Sequence, residues 1–203
     1  MKNKILILSG ILLIFFIAVL ATNNIYWLDF TVYTLLKNIM NPVTTNIFKA
    51  ITVLGSFGII IITVILCFTI KNKKIVATVL INLAMVLILN QSIKYIIQRD
   101  RPVENQMILA TGYSFPSGHT MTSIAFYGYL TYLIHTFSKN KKIKIASYIF
   151  FSLLILLIAT SRIYLGVHYA SDILAGVIIT LIYLDIYIYS LEKINFIKNK
   201  KKK

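Results

Sequence analysis

His168 and Asp172 stand four residues apart in the stretch SRIYLGVHYASD, residues 161–172. A carboxylate one helical turn from an imidazole fixes the ring's tautomer and stabilises its cation, and the other ring nitrogen is then a competent nucleophile. The same stretch opens with Ser161 and Arg162, and Gly166 marks a turn. A second polar group, FPSGHT at 115–120, puts Pro116 and Ser117 where a helix would begin, with Gly118 and His119 in its first turn. Free N–H groups at a helix N-terminus bind anions, and glycine lets another group approach the backbone closely. A third, KYIIQRDRP at 94–102, separates Lys94 from Arg101 by seven residues. That is two helical turns if a helix runs on to Asp100 before Pro102 ends it, and both cations then share one face.

Each group has a plainer reading: basic side chains that snorkel at a membrane edge, an ordinary capped helix with an interfacial histidine, a capping aspartate beside a hydrogen-bonded histidine. Together they offer more. Three cations, a helix N-terminus, the Ser117 and Ser161 hydroxyls and two histidines make a cradle for a dianionic phosphoryl group, with a nucleophile and a proton donor. With His119 and His168 as the only nitrogen ligands nearby and few carboxylates, a metal route is poorly supplied.

The elements that must position these residues follow from composition. The chain has 203 residues, is 58% hydrophobic and has a mean hydropathy of +0.81. A bilayer core about 30 Å thick calls for helical spans of about 20 apolar residues. Six such stretches predict an all-α, six-transmembrane-helix bundle, with spans near 5–21, 49–70, 75–96, 118–137, 144–163 and 171–190. Little lies outside them, so residues 1–203 read as a single integral membrane domain. Lys2 and Lys4 precede the first stretch and Val19-Leu20-Ala21 resembles a cleavage site. The apolar run exceeds the usual signal-peptide core of about 7–15 residues, which favours a retained helix.

The net charge of +15 is sharply distributed. Fifteen of the eighteen lysines lie at Lys2 and Lys4, at 71–74, at 139–144 and in the tail from Lys193. With six spans these segments share one side, which places both termini in the cytoplasm by the positive-inside rule. There they would meet anionic lipid headgroups. No aromatic-basic groove accompanies the charge, so nucleic acid is not an expected partner. All three arginines, Arg99, Arg101 and Arg162, fall on the opposite side with His119 and His168. Asp29, Asp100, Glu104 and Asp172 join them there. The candidate site therefore lies at the outer membrane face, and charged groups at such depth are usually functional. Within 22–48, Trp27, Leu28, Phe30, Val32, Leu35, Leu36 and Ile39 could line a short interfacial helix anchored by Trp27. The alternative is a plain connector. Cys67 is a lone cysteine, so neither a disulfide nor a thiolate metal site is available within the chain.

The ordered motifs Lys-x6-Arg-Pro, Pro-Ser-Gly-His and Ser-Arg-x5-His-x3-Asp resemble those of the type 2 phosphatidic acid phosphatase superfamily. Lys94, Arg101, Pro102, Pro116, Ser117, Gly118, His119, Ser161, Arg162, His168 and Asp172 match every fixed position. The resemblance covers 94–172 directly. It implies that His168 attacks phosphorus to form a phosphohistidine, oriented by Asp172. His119 would protonate the leaving oxygen and then act as base for the hydrolytic water. Lys94, Arg101, Ser117, the Gly118 N–H and Arg162 would hold the phosphate oxygens, with Ser161 and Pro116 supporting. By the resemblance neither a metal nor a cofactor is expected for the membrane enzymes. By the same resemblance the substrate is a lipid phosphate or pyrophosphate in a bacterial cell membrane. Undecaprenyl pyrophosphate stands first, with phosphatidylglycerol phosphate and phosphatidic acid as competitors. A lipid phosphotransferase, in which a hydroxyl replaces water, is the second enzymatic reading. A non-enzymatic lipid-phosphate transporter is the third, and would call for polar residues through the membrane midplane. Oligomeric state is not legible.

Overall fold

The computed structural model describes residues 25–102 and 106–194, and all regular structure within them is helical. The first apolar stretch, Glu104 and the lysines after residue 194 lie outside the described residues. The order is α1 (Tyr26–Lys37), α2 (Pro42–Val53), α3 (Phe57–Thr69) and α4 (Lys73–Ile97). A loop then leads to α5 (Gly118–Ser123), a π-helical turn at Ile124–Gly128, α6 (Tyr129–Phe137), α7 (Lys141–Tyr164) and α8 (Ala170–Lys193). Four stretches are long and apolar enough to cross a membrane: Pro42–Thr69, Lys73–Ile97, Lys141–Tyr164 and Ala170–Lys193.

The expected span at 118–137 forms as the rod of α5, the π turn and α6, but is not among those four. Its position explains why. It packs against α4, α7 and α8, and Phe126, Tyr127 and Tyr129 are almost completely buried. A helix enclosed by other helices needs little lipid-compatible surface, so it can carry Thr, Ser and Tyr in place of Leu and Ile. The π turn is served by α4: Asn82 Nδ2 donates to the Ala125 carbonyl at 2.7 Å, and Tyr183 of α8 donates to Asn82 Oδ1 at 2.8 Å. A buried amide with partners on both ends satisfies groups that lipid could not.

Asparagines start three of the helices. The Asn41 side chain accepts from Val43 and Thr44 N–H, each at 3.0 Å, and Pro42 follows in the first turn. Asn72 and Asn140 cap α4 and α7 in the same way. The stretch Pro42–Thr69 is interrupted at Leu54–Ser56, where Gly55 lies against the central rod. A Cβ at Gly55 would come within 2.6 Å of Ile158 Cγ2, so only glycine fits there without movement.

One local expectation is corrected. The helix bearing Lys94 does not continue to Asp100. It ends at Ile97, and Gln98 turns the chain with φ 50°, its N–H closing on the Lys94 carbonyl at 2.9 Å. A left-handed residue ends a helix by reversing its course, so Arg101 reaches Lys94 by a turn and not along a helix face. The apolar residues in and just after α1 divide between packed and exposed positions. Leu28, Val32 and Leu36 pack inward on Ala159, Ile163, Ala170 and Ile173. Trp27, Phe30, Leu35 and Ile39 remain exposed. At 100° per residue Trp27 and Phe30 lie opposite the Leu28, Val32 and Leu36 stripe, and α1 docks on α7 and α8 through that stripe.

Candidate active site

Gly166 (φ +70°) permits a tight turn between α7 and α8, and the N–H groups of Val167 and His168 both fold back on the Arg162 carbonyl. α8 begins only at Ala170, so His168 precedes the helix and the two residues are not stacked within it. Asp172, in the first turn, accepts from the Tyr169 N–H at 2.9 Å through Oδ2. The aspartate therefore caps the helix and faces the imidazole with one oxygen. His168 Nδ1 lies 3.4 Å from that oxygen, and its Nε2 lies 3.1 Å from Arg101 Nη1. A guanidinium only donates, so Nε2 must carry the lone pair and the ring hydrogen sits on Nδ1 toward Asp172. Burial pushes the His168 pKa down to about 4 against the pull of Asp172, with the Arg101 and Arg162 charges adding to the fall. The ring is neutral near pH 7, with Nε2 unprotonated.

The three expected cations converge on this nitrogen's side. Lys94, at the end of α4, donates to the carbonyls of Tyr113 and Ser114. Arg101 donates to the carbonyls of Thr111, Gly112 and Val167 at 2.8 to 3.0 Å. Arg162, in the last turn of α7, is buried and donates to Thr52 Oγ1 at 2.5 Å, while its buried Nε has no protein partner among the described residues. Burial lowers the Arg101 pKa from its ordinary value, but a guanidinium stays charged.

Ser117 caps α5: its Oγ accepts from the Thr120 N–H at 3.5 Å and hydroxyl at 3.0 Å, and its own N–H donates to the Asp172 carbonyl at 3.3 Å. That last bond ties the start of α5 to the start of α8. Pro116 offers its carbonyl to Asn90 Nδ2 at 3.1 Å. Ser161 is fully buried and bonds back to the Ile158 carbonyl at 2.5 Å within its own helix. These three side chains lie behind the site and do not line its cavity.

That cavity, of about 720 Å³, is lined by Lys94, Arg101, Arg162, Gly118, His119 and His168 at its polar end. No carboxylate is among the described residues lining it; Asp172 stands behind the imidazole. Ile59 and Ile60 of α3 and Leu83 and Leu87 of α4 form an apolar wall, and Ile60 and Leu87 are also exposed on the outside. Three cations and two histidines at one end of an apolar slot suit a dianionic head on a hydrophobic molecule. Among the described residues no three His, Cys, Asp or Glu side chains gather as a metal-ion site would require.

The structure adds residues that the sequence did not single out. Ser114 Oγ donates to Asp172 Oδ2 and lies 3.4 Å from His168 Nδ1. Thr52 holds Arg162, and Asn90 holds the loop before Gly118. Arg99 and Asp29, visible only as outer-side charges, contact the Asp172 side directly: Arg99 Nη1 donates to Asp172 Oδ1 at 2.7 Å and Nη2 to Asp29 Oδ2 at 2.9 Å. Arg99 was detectable as one more arginine against the charge rule. Ser114, Thr52 and Asn90 carried no signal distinguishing them from other small polar residues.

Comparison with known proteins agrees with this geometry. The family model described as the PAP2 superfamily matches residues 75–196. Over 93 residues the chain is 37% identical to phosphatidylglycerophosphatase B of Bacillus subtilis (strain 168), a match covering 44% of each chain. Over 94 residues it is 34% identical to lipid phosphate phosphatase delta of Arabidopsis thaliana, covering 45% of this chain and 23% of that one. The matches thus span less than half of either relative. The fold is similar to the crystal structure of a transmembrane PAP2-type phosphatidylglycerolphosphate phosphatase from Bacillus subtilis. There the TM-score is 0.83 at 26% identity, over 97% of this chain and 98% of that chain. It is also similar to Aquifex aeolicus LpxE, with a TM-score of 0.62 at 26% identity, over 81% and 95% of the two chains.

Proposed function

The chain belongs to the PAP2 superfamily, and from that premise we propose that it is a membrane-embedded, metal-independent phosphatase acting on a lipid phosphate or pyrophosphate. The observation that carries this reading is the bare Nε2 of His168, held 3.1 Å from Arg101 at the cationic end of an apolar cavity with no carboxylate among its described lining residues. In the proposed reaction Nε2 attacks phosphorus, a P–N bond forms, and the P–O bond to the lipid breaks. His119 gives its proton to the departing oxygen. Water then attacks the phosphohistidine, His119 takes its proton, and inorganic phosphate leaves. Asp172 keeps the hydrogen on Nδ1 and stabilises the positive charge that the ring acquires. Lys94, Arg101 and Arg162 neutralise the equatorial oxygens, the role that metal ions play elsewhere. The Gly118 N–H contributes from the start of α5. Ser117, whose hydroxyl serves as the cap, acts by fixing that N-terminus.

The apolar wall between α3 and α4 supports entry of the lipid from the side, with its tails left in the bilayer. The wider arrangement belongs to the same proposal: one domain with six spans, both termini cytoplasmic, the lysine-rich segments on anionic headgroups and the site facing outward in a bacterial cell membrane. Undecaprenyl pyrophosphate remains a candidate substrate. Phosphatidylglycerol phosphate joins it because both Bacillus subtilis comparisons bear that lipid in their names. The test is phosphate release by purified protein, with EDTA present, from a panel of those two lipids and phosphatidic acid. Release that persists in EDTA and disappears in His168→Ala is expected. No release from any of the three, or equal release by the variant, would overturn the reading, and a phosphorylated acceptor in place of free phosphate would make the protein a transferase.

A further inference from the structure

Asp172 has no exposed surface, and a buried carboxylate is costly unless its oxygens are fully hydrogen-bonded. Oδ2 serves Tyr169 N–H, Ser114 and His168. Oδ1 faces away from the cavity, toward Arg99, whose Nη1 bridges Asp172 Oδ1 and Ser171 Oγ at 2.7 Å each. Arg99 is not among the residues lining the cavity, so its charge is not placed on a bound phosphate. Its plane is fixed on three sides. The guanidinium carbon lies 4.1 Å over the Tyr169 ring, and Nη2 donates to Asp29 Oδ2 at 2.9 Å. Asp29 is itself buried and held by both donors of Ser171, N–H and Oγ, at 2.8 Å. Asp29 comes from α1, far in sequence from the segment that matches the family model at residues 75–196.

We propose that Asp29 and Arg99 form a positioning relay, Asp29–Arg99–Asp172–His168, in which α1 sets the orientation and the net charge of the dyad behind the nucleophile. The proposal rests on the phosphohistidine reading above. Its physics is simple. Arg99 on Oδ1 stops the Asp172 carboxylate from rotating, so Oδ2 stays on Nδ1. Arg99 alone would also cancel the negative charge that must stabilise His168 when phosphorylation at Nε2 makes the ring cationic. Asp29 offsets Arg99, and the relay keeps one net negative charge behind the ring. Asp29 thus acts through Arg99 and touches no reacting atom.

The test is a cycle of Asp29→Asn, Arg99→Gln and the double variant, with Asp29→Glu and Arg99→Lys as conservative controls. Activity is read as kcat and KM on the lipid that the wild type hydrolyses. Asp29→Asn should lower kcat roughly tenfold with KM within about twofold, and Asp29→Glu should recover most of the loss. Arg99→Gln should cost more, and the double variant should be no worse than Arg99→Gln alone, because residues acting as one unit are not additive. A readout independent of activity is the nitrogen-15 spectrum of His168. The wild type should show Nδ1 protonated and Nε2 bare; in Arg99→Gln and Arg99→Lys, where Arg101 still donates to Nε2, the tautomer should stay but the Nδ1 resonance should shift as its bond to Asp172 Oδ2 loosens. Asp29→Asn kinetics indistinguishable from wild type, a change in KM alone, strictly additive losses, or an unchanged His168 Nδ1 resonance in both Arg99 variants would each overturn the relay. His168→Ala, measured alongside, separates this failure from failure of the phosphatase reading: an active wild type and an inert His168→Ala leave that reading standing whatever the relay does.

Discussion

Gly55→Ala tests whether the break between α2 and α3 positions His119, the acid–base group of the proposed mechanism. A Cβ there would lie 2.6 Å from Ile158 Cγ2, 3.1 Å from His119 Cδ2 and 3.2 Å from Ser123 Oγ. Reaching an ordinary contact of 3.4 Å with Ile158 requires an opening of 3.4 − 2.6 = 0.8 Å. Ile158 is fully buried, and the Gly55 carbonyl is held by Thr122 Oγ1 at 3.1 Å, so neither side yields freely. Overpacking of this kind costs about 1–3 kcal/mol. The movement falls on His119, and a catalytic group misplaced by about 1 Å loses up to ~100-fold in rate. The expected outcome is a lowered melting temperature in detergent and a kcat reduced about 10- to 100-fold, with a smaller change in KM. Ile158→Ala in the same chain removes the 2.6 Å clash. The double variant should therefore be more stable than the sum of the single effects by roughly 1 kcal/mol. Its kcat should recover only in part, because the His119 contact remains. Gly55→Ala with unchanged melting and kcat, or a strictly additive double variant, would refute the argument.

Three further outcomes are expected. Thr52→Val removes the acceptor of a buried guanidinium N–H, a bond to a charged group worth about 1.5–3 kcal/mol, and should weaken inhibition by vanadate or phosphate about 10- to 100-fold, whereas Thr52→Ser should restore it. Ser114→Ala removes a donor to Asp172 Oδ2 and should lower kcat by about tenfold or more, read against KM in the same assay. In His119→Asn/His135→Asn, where His168 is the only histidine left, its carbon-13 resonance should titrate near pH 4 and not near 6.5. The sign for stability follows: the folded pKa lies below the unfolded one, so between about pH 6.5 and pH 4 the unfolded chain binds the extra proton. Stability from this group is complete above about 6.5 and is lost as pH falls through that window, which acid-dependent melting would show.

The candidate site was legible in the sequence because polar residues are conspicuous in an apolar chain. Lys94, Arg101, Gly118, His119, Arg162 and His168 do meet around one cavity. What the sequence misplaced were backbone details with no pattern of their own. The reversal at Gln98 depends on one non-glycine residue at φ 50°, which no composition rule marks. The interruption at Leu54–Ser56 shows only as a glycine in an apolar run. Asn82 and Asn90 are polar residues within an apolar stretch, and nothing in the pattern marks their partners, the Ala125 and Pro116 carbonyls, which lie 43 and 26 residues away. The apolar residues of α1 were legible as a set, and their division between a docked and a free face depends on what α7 and α8 present. Asp29 is the clearest case. It is an acid in a short helix, and only packing brings it to Arg99 and the dyad.

The central claim is that His168 Nε2 becomes covalently bound to phosphorus. The most direct measurement is rapid quenching of the purified protein with a lipid substrate carrying labelled phosphate, followed by peptide mapping at alkaline pH, where a phosphohistidine survives. The account predicts label on the peptide containing His168, formed and lost fast enough to support turnover in the presence of EDTA, and none in His168→Ala. Turnover with no label on that peptide, label on a different residue, or full activity in His168→Ala would contradict it.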